Sequence, residues 1–64
     1  MKRFFIELVY NDDSTSGFYV EVEGEEHEYM ALLQMITRGT LMASSAKEAT
    51  CYNDEGFDVC SYVK

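Results

Sequence analysis

One segment of this chain has the spacing of an amphipathic helix, and it lies between segments that alternate as β-strands. In residues 25–39 the apolar positions that stack on one side of a helix are Tyr29, Leu32, Leu33 and Ile36. Glutamates crowd the first turn, where the positive end of the helix dipole stabilises them. Gly39 can take the left-handed conformation that ends a helix. The pattern therefore predicts one helix that ends at Gly39 and has Leu32 on its buried side.

Two pairs of strand-like segments flank this helix. Residues 2–10 and 18–23 alternate in side-chain character on either side of a polar loop at 11–17, and residues 48–53 and 57–63 do so around a turn. Each pair is short enough to form an antiparallel hairpin. The sequence predicts a single small α+β domain spanning 1–64. In it one helix packs on an antiparallel sheet of about four strands, in the order ββαββ.

Two features of this architecture stay open. Residues 2–10 carry apolar side chains on both faces, which fits either a central strand with a partly covered second face or a dimer surface. Residues 40–46 fit a short strand, an irregular connection or a helical extension beyond a kink at Gly39. We favour the irregular connection, since too few residues remain for a separate stable helix.

The charge is the strongest compositional constraint. Twelve acidic and five basic residues among 64 give a net charge of −7. Such a surface repels phosphate backbones, so direct nucleic-acid binding is not expected. It would steer a basic partner towards the chain, although solubility alone also explains acidic charge.

Export and membrane insertion are not expected either. The apolar segment at the N-terminus is interrupted by Glu7, so it is too short for a signal peptide, and no small-residue cleavage site follows it. No apolar run is long enough to span a bilayer. A cytoplasmic location follows, in which Cys51 and Cys60 remain free thiols.

The spacing of the cysteines leaves two geometries. If Gly56 is the bulge residue of the last hairpin, Asn53 faces Phe57, and Cys51 and Cys60 lie on opposite faces, where they cannot bond. A four-residue loop would instead put both on one face, where a disulfide or a shared metal becomes conceivable. We expect one buried thiol and one partly exposed thiol.

The loop that begins at Asp12 matches the outline of a calcium-binding EF-hand loop, with oxygen ligands, a glycine at the sixth place and Glu23 at the twelfth. That loop needs a helix on each side, whereas the residues before and after it alternate as strands. We therefore assign no metal ligand, and divalent-metal binding at the Asp12 loop is the weakest hypothesis.

No catalytic residue or cofactor is predicted. His27 is the only histidine and has no partner that would make it a zinc ligand or a general base, and no glycine-rich phosphate loop occurs. The chain is therefore not expected to be an enzyme.

The leading hypothesis is a non-enzymatic interaction protein, of phage or mobile-element origin, that binds another protein or forms a homodimer. Tyrosine and methionine are typical of contact surfaces. The candidate partner-binding residues are Tyr19, Met35, Tyr52 and Tyr62, of which Tyr52 and Tyr62 are expected on one face of the last hairpin.

The alternative is a nucleic-acid mimic that inhibits a host DNA- or RNA-binding enzyme through its carboxylates. The acidic surface that would carry this role consists of Asp12, Asp13, Glu21, Glu23, Glu25, Glu26 and Glu28.

Overall fold

The fold is an antiparallel sheet with one helix on one of its faces. A computed structural model describes all residues, 1–64. Its elements are β1 (Lys2–Val9), β2 (Thr15–Val22), α1 (Glu26–Ala43), β3 (Glu48–Tyr52) and β4 (Asp58–Val63). The four strands lie in the order β2-β1-β3-β4. The predicted α+β class and ββαββ order are therefore confirmed.

The first hairpin is longer than predicted. Its strands pair from Lys2 opposite Val22 to Val9 opposite Thr15, so the strand that was expected to begin at residue 18 begins at residue 15. The connection is correspondingly short, and the backbone N–H of Tyr10 donates to the Ser14 carbonyl at 2.9 Å.

Strand β1 is a central strand. It pairs with β2 on one side and with β3 on the other, where Ile6 lies opposite Cys51. This position accounts for the apolar residues on both of its faces. Phe4, Ile6 and Leu8 are buried beneath the helix side of the sheet, whereas Phe5 on the other face is half-buried.

The last hairpin contains a bulge that the sequence did not reveal. Asn53 faces Phe57 as expected, because its N–H donates to the Phe57 carbonyl at 2.9 Å. The pairing then shifts: Tyr52 lies opposite Asp58, but Cys51 lies opposite Cys60, which leaves one extra residue in β4. A bulge of this kind exchanges the faces of all later residues in the strand. Of the two cysteine geometries left open by the sequence, the one with both cysteines on one face is therefore correct, although it arises from this bulge and not from a four-residue loop.

The buried side of α1 repeats every four residues. Its buried residues are Tyr29, Leu33, Thr37 and Leu41. Leu32 retains 43% of its exposure, so the prediction that it belongs to the core is wrong, and Thr37, which is fully buried, takes part instead. At the N-terminal end of the helix, the Glu28 carboxylate accepts a hydrogen bond from the backbone N–H of Glu25 at 3.3 Å, which caps the first turn.

The helix does not end at Gly39. It runs on to Ala43, so the predicted end and the favoured irregular connection at 40–46 are both wrong, and a helical extension occupies most of that segment. The physical reason is Leu41, which is 1% exposed and packs with Leu8, Ala46 and Ala49 in a second core cluster. Burial of this side chain outweighs the cost of one glycine in a helix, which is about 1 kcal/mol.

The main core cluster lies between the helix and the sheet. Its six buried residues are Phe4, Ile6, Val22, Tyr29, Leu33 and Cys51. The single helix does not combine the length and the apolar character that crossing a membrane requires.

Candidate functional site

The side of the sheet opposite α1 carries no packed element, and we call it the open face. The strand registers place on it Arg3, Phe5, Glu7 and Val9 of β1, with Tyr19 and Glu21 of β2 and Thr50 and Tyr52 of β3. In a sheet covered on one side only, the second face normally carries polar residues. An aromatic centre on such a face therefore needs an explanation.

Three aromatic residues form a row across this face. Phe5 on the central strand lies directly opposite Tyr19 on β2 and directly opposite Tyr52 on β3. The Phe5 and Tyr19 ring centroids are 5.0 Å apart and the rings are tilted by 58°, a favourable aromatic geometry. We call Tyr19, Phe5 and Tyr52 the aromatic row.

Arg3 adds a cation to the aromatic row. Its guanidinium carbon lies 5.4 Å from the Tyr19 ring centroid, within cation–π range. Both residues are exposed, and Tyr19 retains 67% of its accessible surface. Sequence reasoning did not single out Arg3, although the alternation of β1 already places it on the same face as Phe5.

A shallow groove of about 520 Å³ runs beside the aromatic row. It is lined by Arg3, Phe5, Tyr19 and Tyr52 together with Asn53, Asp54 and Gly56 of the last turn. The Asn53 side chain is fixed there, because its Oδ1 accepts the N–H groups of Glu55 at 3.0 Å and Phe57 at 2.9 Å. The groove therefore combines aromatic side chains with a fixed polar side chain, a cation and the Asp54 carboxylate.

A second surface lies along the flank of the helix, and we call it the helix groove. Its volume is about 510 Å³, and its lining includes Met35, Arg38, Met42 and Tyr62. Met35 and Met42 retain 69% and 64% of their exposure. Tyr62 reaches this groove because it lies opposite the buried Ala49 on the helix side of the sheet.

The four candidate partner-binding residues are thus divided into two pairs. Tyr19 and Tyr52 lie together on the open face, whereas Met35 and Tyr62 lie together at the helix groove. The expectation that Tyr52 and Tyr62 share a face is wrong, because the bulge in β4 turns Tyr62 to the helix side.

The candidate acidic residues are also divided, between the two ends of the sheet. Asp12 and Asp13 lie in the loop between β1 and β2. The other five lie near the end of β2 and the start of α1: Glu21, Glu23, Glu25, Glu26 and Glu28. Asp13 forms an ion pair with Lys47 at 3.1 Å. Hydrogen bonds from the Ser14 hydroxyl and then its backbone N–H lower the pKa of Asp12.

The segment with EF-hand spacing is part of the first hairpin. From Thr15 to Val22 it is strand β2, not a loop that leads into a helix. No group of three or more His, Cys, Asp or Glu side chains is arranged to hold a metal ion.

A small polar cluster lies beneath the helix, where Thr37 meets the two cysteines. The Thr37 hydroxyl donates to the Leu33 carbonyl at 2.7 Å and accepts the Cys60 thiol at 3.7 Å. Cys51 is buried and Cys60 half-buried, and both are free thiols, as the sequence predicted. Burial, followed by the neighbouring Cys60, raises the pKa of Cys51 from 9.0 to about 11. The buried stripe at four-residue spacing was the only sequence signal for Thr37.

Comparison with protein-family models finds no match to this chain, and comparisons with curated proteins and with solved structures find none either.

Proposed function

We propose that this chain is a non-enzymatic interaction protein that binds a basic protein partner through the open face of its sheet. The observation that carries the proposal is the aromatic row, which no element of the fold covers although it lies at the centre of the sheet. Tyrosine and arginine are enriched among the residues that dominate protein–protein binding energy.

The size of the face supports this assignment. The two longer dimensions of the molecule are 36 and 20 Å. A sheet face of such dimensions matches one side of a standard protein–protein interface, which buries about 800 Å² on each partner. The aromatic row would form its centre, with Phe5 packed against Tyr19 and with the hydroxyl groups of Tyr19 and Tyr52 offered to the partner.

Charge supports a basic partner over a second copy of the chain. Carboxylates surround the aromatic row, at Glu7, Glu21, Asp54 and Asp58. Two identical faces of a molecule with net charge −7 would repel one another, whereas a basic surface would be attracted and oriented. We place this interaction in the cytoplasm, where structural disulfides are rare.

The experiment compares two matched double variants with the unmodified chain. Tyr19→Ser with Tyr52→Ser removes both tyrosines of the open face, and Met35→Ser with Met42→Ser makes an equivalent change at the helix groove. Each protein, with native circular dichroism verified, is immobilised and exposed to lysate of the native host. A partner retained by the unmodified chain and the methionine variant but lost from the tyrosine variant supports the proposal.

Two results would count against it. Loss with the methionine variant alone would move the interface to the helix groove. If both variants retain the partner and moderate salt releases it, the nucleic-acid mimic would be favoured. Salt screens contacts made by carboxylates, whereas it hardly weakens an aromatic interface. Sedimentation of the purified chain at two salt concentrations tests the homodimer, which would persist at high salt and disappear with the tyrosine variant.

A further inference from the structure

We propose that Cys51 and Cys60 are a redox site, and that a low-molecular-weight disulfide such as oxidised glutathione converts them to a reversible intramolecular disulfide. This inference does not depend on the partner proposed above. It rests on the positions of the two thiols in the last hairpin.

The first observation is the register. Cys51 on β3 lies directly opposite Cys60 on β4, on the face of the sheet that is covered by the helix. Directly opposed residues of antiparallel strands have Cα atoms about 4.5–5.5 Å apart. A disulfide needs a Cα separation of about 4.4–6.8 Å. The two strands therefore already hold the cysteines within bonding range.

The bulge creates this arrangement. Strand β4 has one extra residue between the position opposite Tyr52 and the position opposite Cys51. Without it, the pairing set by the turn at Asn53 would have placed the two cysteines on opposite faces. A bulge re-aims side chains at a defined point of a sheet. Here it brings together the only two thiols of the chain.

The second observation is the difference in access between the two thiols. Cys60 is half-buried on the edge strand β4, whereas Cys51 has no accessible surface. Cys60 is therefore the residue that an external disulfide can reach. Its thiol hydrogen is held by the Thr37 hydroxyl at 3.7 Å, which keeps the side chain beneath the helix and near Cys51.

The reaction follows thiol–disulfide exchange. The Cys60 thiol loses its proton, and its sulfur attacks one sulfur of the oxidant, which forms a mixed disulfide and releases one glutathione thiolate. The Cys51 thiol then loses its proton, and its sulfur attacks the Cys60 sulfur and releases the second thiolate. The protein loses two protons and two electrons in total, and one oxidised glutathione takes them up to become two reduced molecules.

The desolvation that raises the pKa of Cys51 makes the second step the slower one at neutral pH, because only the thiolate attacks. Closure of the mixed disulfide by Cys51 therefore sets the overall rate of disulfide formation.

The experiment treats the full chain with excess oxidised glutathione, quenches it with acid, unfolds it in the presence of iodoacetamide and measures its mass. We expect a product lighter by two hydrogen atoms that takes up no iodoacetamide and regains both reactive thiols after dithiothreitol. The Cys51→Ala variant should stop with one glutathione attached, and the Cys60→Ala variant should react at least tenfold more slowly than the unmodified chain.

The unmodified chain decides the question without the variants. A stable glutathione adduct that never closes, two thiols that remain free after prolonged oxidation, or a disulfide found only between two chains would each overturn the proposal. A peptide map that shows Cys51 linked to Cys60 within a monomer is the supporting result.

Discussion

The ring of Phe5 lies directly on Gly17 of the neighbouring strand. A Cβ atom added at Gly17 would lie 2.3 Å from the Phe5 Cζ atom and 2.7 Å from the backbone oxygen of Ile6. Gly17 thus leaves the space in which the Phe5 ring rests on the sheet surface, turned towards Tyr19. The shape of the aromatic row depends on this missing side chain.

Replacing Gly17 by alanine should therefore disturb the open face and destabilise the fold. The ring can rotate away, but the Ile6 carbonyl belongs to the backbone and must shift, and overpacking of this kind costs about 1–3 kcal/mol. Urea unfolding measures the free energy, and near-ultraviolet circular dichroism reports the changed environment of Tyr19. An unchanged spectrum together with unchanged stability would show that Phe5 does not rest on Gly17.

Gly39 provides the opposite case and a matched control. It lies within α1, and a Cβ added there meets no atom within 4 Å. Gly39→Ala should stabilise the chain by about 0.5–1 kcal/mol, because alanine loses less backbone entropy than glycine in a helix. The measurement is the same urea titration. Destabilisation would mean that the helix ends at Gly39 after all.

Two leucines of α1 should differ sharply in their contribution to stability. Leu41 is 1% exposed and Leu32 is 43% exposed. Leu41→Ala should cost about 2–5 kcal/mol, since it empties part of the second core cluster, whereas Leu32→Ala should cost about 1 kcal/mol or less. Chemical denaturation of both variants gives the comparison. Equal costs would place Leu32 in the core and contradict the position of the helix on the sheet.

These leucines also show where sequence reasoning succeeds and where it fails. Helix and strand periodicities identify every element and both hairpins, because each element must bury one side. The exact buried stripe is decided by tertiary packing: Leu32 and Thr37 lie about 140° apart around the helix axis, and the sheet covers Thr37 instead of Leu32. A hydroxyl is tolerated there because the Leu33 carbonyl accepts its hydrogen bond.

The bulge in β4 limits prediction of the candidate site. The turn chemistry at Asn53 and Gly56 indicates correctly which residues face one another at the hairpin end. Nothing in the local sequence marks the extra residue that follows, yet it determines the faces of Cys60 and Tyr62. Single-residue register shifts arise from the fit of β4 against the helix and β3, so they become visible only in the folded chain.

The buried thiol of Cys51 predicts a loss of stability at alkaline pH. Burial and the adjacent Cys60 raise the pKa of Cys51 from 9.0 to about 11 in the folded chain. Above pH 9 the unfolded state releases this proton while the folded state retains it, so the free energy of unfolding falls as pH rises towards 11. The expected loss is about 2 kcal/mol by pH 11. Below pH 9 this thiol contributes no pH dependence.

The informative quantity is a difference between two proteins, because it cancels every pH effect that does not involve Cys51. Urea unfolding under reducing conditions between pH 7 and 11 would be measured for the unmodified chain and for Cys51→Ala. The variant starts from a lower stability because it loses buried volume, but its stability should fall less steeply above pH 9. Parallel curves for the two proteins would show that the Cys51 thiol titrates normally and is not desolvated by the helix.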